Sequence, residues 1–118
     1  MKPIFEPQAY KQEKEVKISE QIITSDLTNR GFSCQLVIDD SGVYFPPQLN
    51  RPLKVYVVVS GQLSVWVNQD YYLCEAGSRL LVPPQVMHWS RGGADGCRYY
   101  VGEHHETKTQ TEAVQPEP

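Results

Sequence analysis

Lys54, His88 and the tandem pair His104-His105 are the residues of this sequence with the most chemistry to offer. Lys54 heads the apolar run Val55-Tyr-Val-Val-Val59, which reads as a strand buried on both faces. A lysine placed there must meet an acid or give up its proton, because burial can lower a lysine pKa by ~3–5 units. Glu75 and Glu103 are the acids within reach, and neither is an obvious inward neighbour. Three uses stay open for Lys54. It can await an anion such as a carboxylate or phosphate, or it can form a general acid/base couple with His88. It can also snorkel to an open end with its stem packed on Tyr56.

The elements that must position these residues are short strands. Lys17 to Ile23 and Phe32 to Ile38 carry β-branched and apolar residues, with a polar turn at Thr28-Asn-Arg-Gly31 between them. Asp39-Asp-Ser-Gly42 is a turn, and Val43-Tyr-Phe-Pro-Pro47 is a strand stopped by two prolines. Leu63-Ser-Val-Trp-Val67 alternates and folds back through Asn68-Gln-Asp70 into Tyr71-Tyr-Leu-Cys74, a hairpin. Arg79 to Val82 is a strand halted by Pro83-Pro84, Arg91 to Gly96 a flexible turn, and Arg98 to Glu103 the last strand. No stretch of ten residues carries a clear helical stripe. Many short strands punctuated by Gly and Pro predict an all-β sandwich or barrel.

With 118 residues and a net charge of −3, the chain is the size of one domain and only mildly acidic. No basic stripe interleaves with aromatics, which argues against a nucleic-acid partner. Residues 1–30 lack the apolar core of a signal peptide, and no apolar run reaches membrane-spanning length. Cys34, Cys74 and Cys97 are odd in number, widely spaced and without a C-x-x-C, as free thiols of a reducing cytoplasm would be. The expected organisation is a flexible or exchanged arm at 1–15, a barrel domain at 16–105 and a disordered tail at 106–118.

One segment carries a resemblance. The strand Val55–Ser60 ends at Gly61, the hairpin Gln62–Ala76 follows, and Gly77, Pro83 and His88 come next with five and then four residues between them. This order resembles the cupin superfamily. The resemblance implies a cupin-type double-stranded β-helix, a jelly-roll barrel, whose two motifs converge on one pocket. A typical cupin binds Fe, Mn, Ni or Zn there through three imidazoles and a carboxylate. Counted back from Gly61, the equivalent positions here are Gln48, Asn50 and Lys54, with His88 from the second motif. Gln85 replaces the usual inner glycine and Gly92 the closing asparagine. Amides are poor ligands for transition metals, a lysine ammonium repels a dication, and catalytic sites need about three good ligands. No metal and no other cofactor is therefore expected, unless His104 or His105 joins His88 to rebuild a site.

Strand alternation turns Tyr56 and Val58 inward with Lys54, and gives Gln48 and Asn50 the same parity. On the last strand either Tyr99 with Val101 or Tyr100 with Gly102 faces the cavity, and Trp66, Met87 and Trp89 are candidate walls. The pocket set taken forward is Gln48, Asn50, Lys54, Tyr56, Trp66, His88 and Tyr100. The expected function is metal-free binding of a small polar or anionic metabolite in the barrel. Two enzymatic readings stand beside it: a metal-independent epimerase or isomerase using His88 with a tyrosine, and a metal-dependent oxygenase with a rearranged site. A purely structural subunit is a further reading. The resemblance also implies a homodimer, with Val55, Val57 and Val59 needing cover on the outer face.

Overall fold

A computed structural model describes residues 2–11 and 17–105; the expected disordered tail, residues 1 and 12–15 of the expected arm, and residue 16 lie outside them. In chain order the elements are β1 (Ile4–Glu6), α1 (Glu20–Asn29), β2 (Phe32–Asp39), β3 (Tyr44–Leu49), β4 (Lys54–Val67), β5 (Asp70–Glu75), β6 (Arg79–Val82) and β7 (Met87–His104). All pairings are antiparallel. Two long strands organise the barrel. The first half of β4 pairs with β6 and with the end of β7, while its second half pairs with β5 and the start of β7. The end of β7 also carries β2, and its start carries β3. Each long strand thus serves both halves of the barrel, which is the jelly-roll arrangement.

Where β4 passes from one half to the other, its register against β7 slips between Val58 and Ser60 and again between Gly61 and Leu63. Gly61 lies at φ 78°, and a Cβ there would collide with the Gly96 carbonyl oxygen. The glycine that ends the valine run is thus demanded by the close approach of two backbones. The expected turn at Arg91–Gly96 is part of β7 itself. Its glycines let an uninterrupted strand bend rather than end it.

The main correction concerns the first third. The expected strand Lys17–Ile23 and the turn after it are one helix, Glu20–Asn29. The Ser19 side chain caps it by accepting a hydrogen bond from the Ile22 amide, and Gly31 at φ 91° follows its end. Ten residues rich in Ile and Thr make a marginal helix in isolation, so docking must hold it. Ile23 and Leu27, four apart, are fully buried against Phe32, Val55 and Val57. Each contributes about 1.5–3 kcal/mol of burial. The outer valines of β4 are thus covered within the chain by α1, and they carry no argument for a dimer. Nearer the N-terminus, Ile4–Glu6 pairs with β6.

Candidate functional site

Lys54 opens β4 and His88 lies near the start of β7, and both side chains turn to the concave face. Lys54 is 8% exposed and His88 fully buried. The Lys54 Nζ lies 3.1 Å from His88 Nε2, and the Asn50 Nδ2 lies 3.2 Å from the same nitrogen. On the other side of the ring, Nδ1 is 3.3 Å from the Val86 carbonyl oxygen. A carbonyl can only accept, so Nδ1 carries the proton and Nε2 offers its lone pair to Lys54 and Asn50. Tyr56 completes the group. Its ring lies edge-on to His88 at 6.4 Å, with the Lys54 Nζ 5.0 Å from its centroid.

The electrostatics follow from burial. Desolvation pulls the Lys54 ammonium down to about 8, opposed in part by the Glu103 carboxylate. Desolvation and then the Lys54 charge push His88 down to about 4, against the help of the Val86 carbonyl. Glu103 stands directly across from Lys54 in the β4–β7 ladder, yet among the described residues no carboxylate forms an ion pair with Lys54. Lys54 is a buried cation held by neutral partners. It borders an open cleft of about 330 Å³ that is also lined by Ser33, Gln35, Val101, Gly102 and Glu103. A larger cleft of about 500 Å³ lies beside Gly61, Gln62, Glu75 and Asp95. Its polar side chains are all solvent-exposed, so the unusual chemistry sits at Lys54.

The structure brings together Asn50, Lys54, Tyr56 and His88 of the expected set. Gln48 is paired with His88 in the β3–β7 ladder but is exposed. Trp66 and Tyr100 lie elsewhere. Trp66 is on the outer face, stacked on Trp89 at 6.1 Å and 5° and packed on Tyr71. The two register slips in β4 reverse its parity, so that Leu63, Val65 and Val67 point inward beyond them. Tyr100 also faces outward, where its hydroxyl donates to Glu20 of α1 at 3.0 Å. Tyr99 takes the inner position, packed on Tyr56 and donating to Asp39 at 3.0 Å. Tyr100→Phe is accordingly expected to cost about 0.5–1.5 kcal/mol of stability in a urea titration and to leave ligand binding unchanged.

The tandem histidines do not converge on His88. His104 Nε2 donates to the Arg30 carbonyl at 2.9 Å and the ring meets Phe32 edge-on at 5.1 Å, closing the end of α1. His105 Nε2 is 2.6 Å from the Ser33 hydroxyl. Among the described residues no three His, Cys, Asp or Glu side chains gather where a metal could be held. The position that holds a metal in typical cupins presents one imidazole, and its free nitrogen is taken by an amine and an amide. That donor set does not fit a transition metal. Sequence reasoning does not find Ser33 and Gln35, which reach the cleft through the β2–β7 register, where Ser33 faces Glu103 and Gln35 faces Val101.

Comparison with solved structures places the fold. A cupin domain of Cnp3 from Schizosaccharomyces pombe superposes with a TM-score of 0.61 at 16% identity, covering 75% of this chain and 66% of that one. A salicylate 1,2-dioxygenase from Pseudaminobacter salicylatoxidans gives 0.59 at 17% identity, covering 71% of this chain and 24% of that one. A cupin-2 domain protein from Shewanella frigidimarina gives 0.55 at 18% identity, covering 64% and 72%. This chain therefore spans about two-thirds of the Cnp3 domain and a quarter of the dioxygenase. No protein-family model matches the sequence, and no curated protein matches it significantly. The chain has the cupin fold, a jelly-roll barrel shared by proteins of different activity.

Proposed function

We propose that this chain is a metal-free binding module that holds a small polar or anionic metabolite through an oxygen placed at Lys54. One observation carries the reading: a buried ammonium beside an open cleft, hydrogen-bonded to a neutral imidazole and without a carboxylate partner among the described residues. Such a charge is costly until an acceptor arrives, so an entering oxygen gains a charge-assisted hydrogen bond at a site already stripped of water. The cleft is of the size that small ligands occupy. Ser33 and Gln35 add a hydroxyl and an amide to its lining, while Asn50 and Tyr56 hold the His88–Lys54 pair behind it.

Thermal unfolding tests this against a panel of phosphate, sulfate, small carboxylates and polyols. At least one is expected to raise the melting temperature in wild type and not in Lys54→Met. A panel with no effect, or an effect that survives in Lys54→Met, overturns the reading. So does about one equivalent of transition metal in the tag-free protein that disappears in His88→Ala.

A further inference from the structure

Binding at Lys54 leaves open what the amine does to a ligand once it is there. An amine whose hydrogen points at an imidazole lone pair is arranged as a nucleophile with its base in place. Val86 fixes the ring in the tautomer that accepts, and Asn50 steadies the same nitrogen. Tyr56 walls the amine from water on one side. Glu103 lines the same cleft opposite Lys54 without forming an ion pair with it, so the cleft is not uniformly basic. Glu103 and the Gln35 amide offer partners to hydroxyl groups instead.

We propose that Lys54 forms a reversible imine with the carbonyl carbon of a small hydroxylated aldehyde or ketone bound in this cleft, an inference that rests on the binding reading above. The neutral amine nitrogen adds to the carbonyl carbon, and the π pair moves onto the oxygen. One amine hydrogen passes to His88 Nε2 and from there to that oxygen, giving a carbinolamine. The second amine hydrogen follows the same route as the C–O bond breaks, water leaves with both, and the C=N bond remains. Atoms and charge balance with no oxidant, reductant or metal. The lowered pKa of Lys54, about 8, leaves about a tenth of the amine neutral at pH 7. His88 is neutral and so has a lone pair for the proton, and the Lys54 charge that helps to weaken it as a base is absent when the amine is neutral.

The test is reductive trapping of the full chain with dihydroxyacetone and sodium cyanoborohydride, read by intact mass and peptide mapping. Lys2, Lys11 and Lys17 are exposed and serve as internal controls. Lys54 is expected to be labelled about tenfold more than each of them. In His88→Gln its labelling should fall to their level while theirs stays the same. Lys54→Arg has no amine that can condense and should form no adduct at position 54, while the rise in melting temperature with dihydroxyacetone is read in wild type without reductant. Labelling of Lys54 no greater than that of Lys2 overturns the imine. If dihydroxyacetone still raises the melting temperature in that case, the ligand is held without chemistry and the binding reading stands. If it does neither, the imine falls and the anion panel alone judges the binding reading.

Discussion

Lys54→Met is expected to stabilise the folded protein by about 1–3 kcal/mol at pH 7 while abolishing ligand binding. The folded lysine has a pKa near 8 and the unfolded one near 10.5. Between those values the unfolded chain binds more protons, so wild-type stability rises with pH across that window. Below pH 8 the full cost of the buried charge is present, and methionine removes it while filling a similar volume. His88 loses one donor in the mutant, but Asn50 still occupies its Nε2. On the acid side the same sign applies. His88 titrates near 4 when folded and near 6.5 when unfolded, so stability is lost as pH falls from 6.5 towards 4. Without the Lys54 charge that loss should shrink and not vanish, because burial is the larger cause. Buried thiols such as Cys97, pushed up to about 12, pull the other way at high pH. The informative quantity is therefore the difference in urea midpoint between wild type and Lys54→Met across pH 5–9. A mutant less stable than wild type throughout would mean that Lys54 is a structural residue. A site built for a ligand carries such a cost in the free protein.

Much of this site is legible in the sequence. Lys54, Tyr56 and Val58 share a face because side chains alternate along a strand, and His88 follows from its distance to Gly77 and Pro83. The parity beyond Ser60 is not legible. Two register slips reverse the strand, and no residue type marks them except Gly61, whose φ 78° is also what an ordinary turn uses. Trp66 therefore sits on the face opposite to the one that simple alternation predicts. Tyr100 escapes prediction for a different reason. The last strand reads equally well in either phase, and only the cross-strand partners Lys54–Glu103 and Tyr56–Val101 decide it.

The helix is hidden by its composition. Ile22, Ile23, Thr24 and Thr28 favour strand locally, and only Ile23 and Leu27 report the buried stripe. The usable signals lie at the ends: Ser19 before an acidic first turn, and Gly31 after the last. Without the helix, Val55 and Val57 look like an uncovered face. Tertiary docking overrides local preference, and the surface that suggests a partner is core.

Arg79→Met is expected to cost about 3 kcal/mol, in the opposite sense to Lys54→Met. Both residues are buried cations on the paired strands β4 and β6, and they differ in what surrounds them. The Arg79 side chain is 9% exposed and reaches Glu6 of β1 at 2.5 Å, Asp26 of α1 at 3.2 Å and the Tyr10 hydroxyl at 3.1 Å. Tyr10 donates in turn to Asp26 at 2.5 Å and lies under the guanidinium. One side chain thus ties three segments of the N-terminal third to β6. Burial works against the Asp26 carboxylate, yet the hydrogen bonds from Tyr10 and Arg30 hold it below its ordinary range, and the cluster stays ionised. Glu6 is 45% exposed and can rehydrate when the arginine is lost, which keeps the cost below that of a fully buried pair. By contrast, Arg30→Ala removes a partner that is itself 52% exposed, and should cost only a few tenths of a kcal/mol. Urea midpoints at constant slope read all three variants, and hydrogen exchange should show the α1 amides opening first in Arg79→Met. Equal losses in Arg79→Met and Lys54→Met would mean that both cations serve only to fill space. Opposite signs would separate the charge the fold is built around from the charge it keeps for a ligand.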